Sequence, residues 1–423
     1  MERQPVGSVR AAWQVLWSSR AVVWAAGLLG LLWLGEAPNA DQFDPGALTR
    51  PFSPFGNLLV APAARWDAVW YLAIARDGYS DTVDGAKAAF YPLYPLLTKG
   101  AGWVVGSTLA AGVLISIVSF FGALVLLHQL AALELGERGA RHTLLLVAFF
   151  PASFFFSAVY AESLFLLLSV AAVLSARRGL WMWAGIAAAL ATLTRNSGAV
   201  LLVPLLLLFL YGPREDRPPR EREESGRWSR WAPRYPLTPQ LLWLALVPLA
   251  LAGYLAYCGI VLDDLFAPFG AQGLWGRHLV PLGGIWEGAR AAWLGLRQVG
   301  AGTATPVYFS DAGGDPLANA GQNLMLFGFL VFALVALVGA LRRLPIAYGA
   351  YALVALVLTL SYPVDAQPLM SLPRFLAVLF PLHMWLAKRL GERGDGAVER
   401  GVAISAVLLG LLTVQFARWG FVA

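Results

Sequence analysis

The sequence predicts an all-α, polytopic transmembrane protein with about eleven spans of roughly 20 residues each. Three observations carry that reading. Hydrophobic residues make up 58% of the chain and mean hydropathy is +0.64. Only 13% of residues are charged, against roughly 25% in a soluble domain. Long apolar runs recur along the chain, divided by short turns rich in arginine.

Taken in order, Met1–Arg20 carries Arg3, Arg10 and Arg20, and the apolar run Ala21–Gly35 follows. That pattern, with Ala37-Pro38-Asn39-Ala40 behind it, also fits a cleaved signal peptide. A retained first span is preferred because the chain beyond it is membrane-embedded as well. Glu36–Ser107 is polar, aromatic and proline-containing, so it reads as a long loop with interfacial helices. Thr108–Leu133 is a strong span, closed by a turn with Glu134, Glu137, Arg138 and Arg141. Thr143–Tyr160, kinked at Pro151, and Glu162–Ala176 are the next two, and Arg177-Arg178 turns the chain. Leu180–Thr194 and Ser197–Tyr211 follow, divided by Arg195-Asn196. Residues 212–240 form a flexible hydrophilic linker with seven arginines and six prolines. Leu241–Leu262 is a span, and residues 263–322 are a second long loop with an amphipathic helix near Gly284–Val299. Asn323–Leu341, Pro345–Ser361, Pro373–Leu390 and Val402–Trp419 complete the set within a single domain, 1–423.

Charge placement sets the orientation. With the N-terminus cytoplasmic and the spans alternating, the cytoplasmic turns hold 20 of the 31 Lys and Arg residues. The much longer external segments hold the other 11, as the positive-inside rule requires. The expected location is therefore the cell membrane, with both long loops, 36–107 and 263–322, outside. The net charge of +6 reflects this topology and anionic lipid contact, not nucleic-acid binding. Cys258 is the only cysteine and the four histidines are scattered, so no metal site and no cofactor are expected. Asp263-Asp264 is the one adjacent acidic pair near a span end, and a divalent cation there is a minor alternative.

Ionisable residues within or beside apolar spans are functional candidates by default. Four stand out, all assigned to the external boundary: Asp67; Tyr160-Ala161-Glu162-Ser163; Thr194-Arg195-Asn196; and Pro373-Arg374-Phe375. At about 100° per residue, Asp67 shares one helix side with Trp70, Tyr71 and Ile74, so an acid lies on an aromatic stripe. Asp67 is the candidate base for a hydroxyl nucleophile. Arg65, Arg195 and Arg374 are candidates for holding a phosphate, since a guanidinium can bind one bidentately. Trp66, Trp70, Tyr71, Tyr91, Tyr160, Glu162 and Asn196 are expected to line the site. Plainer readings compete: Glu162 as a helix N-terminal acid, and the arginines as snorkelling helix-end residues.

Several blocks in the sequence resemble the PIG-V-type mannosyltransferases. They are Arg65-Trp66-Asp67-Ala68, Phe90-Tyr91-Pro92-Leu93-Tyr94-Pro95, Phe150-Pro151-Ala152-Ser153, Tyr160-Ala161-Glu162-Ser163, Thr194-Arg195-Asn196-Ser197-Gly198 and Arg374-Phe375. The resemblance implies a GT-C glycosyltransferase that uses a polyprenyl-phosphate sugar as donor. It implies mannose as the sugar, a lipid-linked or glycan hydroxyl as acceptor, and Asp67 as the catalytic acid of the first external loop. Attack opposite the leaving phosphate would invert the anomeric centre. The alternative is a transporter or flippase of a lipid-linked solute, which would need polar residues at mid-membrane on several spans.

Overall fold

The computed structural model describes residues 4–37, 40–79, 85–219, 232–302 and 316–422. Pro38 and Asn39 of the candidate cleavage site, residues 80–84 of the first loop, residues 220–231 of the 212–240 linker and residues 303–315 of the 263–322 loop lie outside the described residues. Among the described residues the protein is all-helical, and its only β pairing is an isolated Arg277–Val364 bridge.

Sixteen α-helices follow one another among the described residues. The first nine are α1 (Gln4–Leu34), α2 (Pro54–Val60), α3 (Asp67–Asp77), α4 (Leu93–Val105), α5 (Thr108–Ala148), α6 (Glu162–Arg177), α7 (Trp181–Thr194), α8 (Leu202–Tyr211) and α9 (Leu246–Val261). Then come α10 (Ala267–Gly270), α11 (Gly283–Ala301), α12 (Pro316–Arg343), α13 (Ile346–Leu360), α14 (Leu372–Val378), α15 (Phe380–Gly391) and α16 (Asp395–Ala417). Among the described residues, five helical stretches are long and apolar enough to cross a membrane: Gly7–Leu34, Thr108–Ala148, Pro239–Val261, Leu317–Arg343 and Asp395–Ala417. Three shorter apolar helices, Trp181–Thr194, Asn196–Tyr211 and Ile346–Leu360, pack among them. One hydrophobic core joins all of these elements.

The departures from the expected spans have local causes. Thr143–Tyr160 is not one continuous helix. Helix α5 breaks at Gly136 (φ 73°, ψ 172°) and ends at Ala148, after which residues 149–161 form turns and a 3-10 stretch, Ser153–Phe156. Pro151 cannot continue the helix. A buried loop must satisfy its own polar groups, and here Arg20 supplies much of what is needed. Expected in the flank before the first span, Arg20 instead lies in the middle of α1 and is 1% exposed. Its guanidinium donates to the carbonyls of Ala148 (3.0 Å) and Ser153 (2.7 Å) and to the hydroxyls of Ser153 and Ser157 (both 3.0 Å). It also lies over the Phe120 ring. The Pro373–Leu390 run likewise divides into α14 and α15 at Leu379, whose φ/ψ of −83°/71° leaves the helical range. Pro381 follows at the start of α15.

The first loop holds three helices, α2, α3 and α4. The stretches Pro54–Ala63 and Asp67–Asp77 meet at a 108° bend. That bend presents Asp67 at a helix N-terminus instead of mid-helix. The expected amphipathic helix is α11, which buries its glycine and alanine side and leaves Trp286 and Trp293 exposed.

The charged turns at the other end of the bundle are paired among themselves. Arg177 Nε donates to Glu134 Oε1 at 2.6 Å, and the Tyr348 hydroxyl donates to the same oxygen at 2.9 Å. Arg214 pairs with Asp216 and is boxed by Trp181, Phe209 and Tyr235.

Candidate functional site

Asp67, Glu162, Arg195 and Arg374 come from four separate segments, and the fold brings all four to one cavity of about 910 Å³. Each stands where a helix starts or stops. Asp67 is the first residue of α3, Glu162 the first of α6, Arg195 follows the last residue of α7, and Arg374 lies in the first turn of α14.

The four groups form a ladder of charge. Arg374 Nη1 donates to Asp67 Oδ2 at 2.5 Å, and its Nε lies 3.3 Å from Glu162 Oε1. Arg195 Nη1 donates to that same Glu162 oxygen at 2.5 Å. The order is thus Asp67, Arg374, Glu162, Arg195, with signs alternating. Exposure decides which members are open to a ligand: the Asp67 side chain keeps 28% of its surface and Glu162 only 2%. Buried ion pairs of this kind depend on complete pairing, because a lone charge in their place costs several kcal/mol. Asp67 Oδ1 accepts no hydrogen bond from the described residues, so the more exposed acid keeps one oxygen for a ligand hydroxyl, whereas Glu162 Oε2 is unpaired but buried.

Tyr160 fixes the approach to Asp67 from behind. Its hydroxyl donates to the Arg65 carbonyl (2.9 Å) and accepts from the Asp67 amide (3.1 Å). This bridge spans both sides of Trp66, whose backbone is left-handed (φ 55°, ψ −116°). A bulky residue at positive φ is an outlier that only its surroundings can hold. Tyr160→Phe removes both hydrogen bonds and keeps the ring. Its expected result is a loss of about 1–3 kcal/mol of stability for the two hydrogen bonds, read as a lower unfolding temperature in detergent.

Trp66, Trp70, Tyr71, Tyr91, Glu162 and Asn196 line the cavity. Tyr160 supports the wall from a buried position. Arg65 is not brought to the cavity. Its side chain is fully buried, donating from Nε to the Ala417 carbonyl (2.8 Å) and from Nη2 to Glu36 (3.0 Å), with its guanidinium over Trp419. It ties α16 to the first loop, because the chain turns sharply at Trp66 and sends adjacent side chains opposite ways. Asp263 and Asp264 also lie away from the cavity. Asp264 accepts from the Phe266 amide in the turn that opens α10.

Some lining residues carried no distinguishing signal in the sequence. Phe43, Trp275, Arg277, Ser371 and Phe421 all face the cavity. Arg277 donates to the carbonyls of Tyr362 and Met370 (3.3 and 3.4 Å) and lies 6.0 Å from the Phe375 ring. In sequence it is one arginine in a long glycine-rich loop.

Residues 52–207 match the family model described as Mannosyltransferase (PIG-V). The matched segment contains Asp67, Glu162 and Arg195, three of the four members of the ladder, and supports a glycosyltransferase. No curated protein matches the chain by sequence. Among solved structures, the chain is similar to the oligosaccharyltransferase of Archaeoglobus fulgidus, solved tethered to an acceptor peptide. Identity is 14% and the TM-score 0.42 over 95% of this chain and 55% of that one. The chain thus spans about half the length of that protein.

Proposed function

We propose, with the family match over residues 52–207 as premise, that the cavity transfers mannose from a polyprenyl-phosphate donor to a hydroxyl acceptor. The observation that carries this reading is the ladder itself: an acid open to the cavity, held by one arginine, with a second arginine two links away. Asp67 Oδ1 accepts the proton of the acceptor hydroxyl as its oxygen attacks the anomeric carbon. The C–O bond to the phosphate breaks on the opposite face of the sugar, and the anomeric configuration inverts. The leaving phosphate gains charge in the transition state, where a fixed guanidinium acts most strongly.

In-line displacement separates base and leaving group by the width of a sugar ring. Arg374 touches the base directly, so its role is to orient Asp67. Arg195, at the far end of the ladder, suits the phosphate. The aromatic walls formed by Trp70, Tyr91 and Trp275 provide faces for a sugar. Arginine placement in the sequence supports a position for this cavity on the external side of the cell membrane, where a polyprenyl-phosphate donor and a lipid-linked or glycan acceptor would meet. In this reading the ladder supplies both the base, Asp67, and the phosphate cation, Arg195.

The test is transfer of radiolabelled mannose from a polyprenyl phosphomannose in membranes containing the protein. Covalent incorporation into an acceptor is the expected result. Movement of the intact donor across the bilayer without incorporation would instead identify a carrier. Arg195→Ala is expected to raise the donor KM and lower turnover, by roughly 1.5–3 kcal/mol in total for a lost charged hydrogen bond. Unchanged donor affinity in that variant would remove the phosphate from Arg195.

A further inference from the structure

The strained backbone at Trp66 is clamped by a part of the chain far from it in sequence. Past α16, residues 418–422 fold back as a hook. Trp419 also has a left-handed backbone (φ 66°) and is 2% exposed. The Trp66 indole donates to the Gly420 carbonyl at 3.3 Å. Its ring packs against Phe43 (4.5 Å between centroids), Phe421 (5.3 Å) and Trp419 (6.0 Å). The hook is secured in turn. Gln415 and Gln322 both donate to the Phe421 carbonyl, at 2.7 and 2.6 Å. Arg418 donates to the carbonyls of Gly35 and Leu34, and the Gly420 amide donates to the Gln415 carbonyl at 2.8 Å. Arg65 links the two sides through Ala417 and Trp419.

We infer that the 418–422 hook is a positioning element for the transfer reaction: by clamping Trp66 in its left-handed conformation, it aims Asp67 into the cavity. The inference rests on the reading of Asp67 as the base. The physical reason is local. A tryptophan at φ 55° relaxes toward negative φ unless its ring and indole N–H are held, and Asp67 is the next residue. Rotation at Trp66 would carry the carboxylate off the line between Arg374 and the acceptor. A misplacement near 1 Å costs about a hundredfold in rate. Tyr160 holds the backbone on the two sides of Trp66, while the hook holds its side chain. Gln415 and Gln322 do not line the cavity, so they can be changed without touching substrate.

The experiment is the double variant Gln415→Met with Gln322→Met, in the full chain, assayed with radiolabelled polyprenyl phosphomannose. The expected result is turnover reduced by tenfold to about a hundredfold, with the donor KM within about twofold of wild type, as for an interaction made only in the transition state. The same pair placed on Asp67→Asn should reduce the residual rate no further, because residues acting through one group are non-additive. Wild-type turnover in the double variant would overturn the inference. So would a rise in KM matching the fall in rate, or an effect that adds fully to Asp67→Asn. If the double variant does not fold, Gln415→Met alone is judged by the same criteria. Failure of the Asp67 reading is separate: it would show as full activity in Asp67→Asn itself, before either glutamine is changed.

Discussion

Asp67→Asn should lower sugar transfer by roughly 10²–10⁴-fold, the range for loss of a general base, while the protein folds and binds donor as before. The shape of the side chain is kept. The amide oxygen that replaces the carboxylate can still accept from Arg374 Nη1 in place of the present 2.5 Å contact, and the Tyr160 bridge to the backbone is untouched. Arg374 retains Glu162 as its anionic partner, so no buried charge is left without one. What disappears is the ability to take a proton, since an amide oxygen is a far weaker base. Transfer assayed with saturating polyprenyl phosphomannose checks the rate, and an unfolding temperature in detergent checks the fold. Transfer at the wild-type rate would show that the base is elsewhere, with Glu162 the next acid in the ladder.

How much of this could be read from the chain follows from what each residue does. Asp67, Glu162, Arg195 and Arg374 were legible because a charge beside an apolar span is costly without a partner or a function. That reasoning identified the residues individually. It could not reveal that Arg374 and Arg195 share one oxygen of Glu162, because the three residues lie far apart in the chain and only the packing of α6, α7 and α14 joins them. Arg65 shows the limit in the other direction. By residue type it is as good a phosphate ligand as Arg195, yet the positive φ at Trp66 turns its side chain to the opposite side from Asp67. Arg20 was misplaced for a similar reason. In sequence it sits at the polar edge of an apolar run, and only the buried carbonyls of the 149–161 loop and its flank explain why a cation lies within the bundle. The sequence predicts a regular helix through that loop because Phe154, Phe155 and Phe156 are as apolar as any helix interior. Hydropathy reports burial, not backbone conformation. Phe421 and Arg277 were invisible for want of local contrast: aromatic and basic residues near membrane boundaries are common.

Arg374→Gln should abolish transfer and also weaken the fold, and the pairing of the two effects is what distinguishes it from Asp67→Asn. The guanidinium is 13% exposed and touches both acids of the ladder. It also lies within 5.8 Å of three aromatic rings, those of Phe155, Tyr160 and Phe375. Without it, Glu162 keeps Arg195, but Asp67 loses its one cationic partner among the described residues. Breaking a buried pair in this way costs about 3–5 kcal/mol, less whatever solvent in the cavity returns to the more exposed Asp67. The carboxylate also loses the contact that orients it toward the cavity. Arg374→Lys separates geometry from charge. A single ammonium restores a positive charge but lacks the planar fork that reaches Asp67 and Glu162 together. Stability should therefore recover more than turnover does. If Arg374→Lys instead restored both fully, the bridge between the two acids would be a matter of charge alone, and the orienting role given to Arg374 would fall. If Arg374→Gln kept both its unfolding temperature and its rate, the ladder would not be the working part of this cavity.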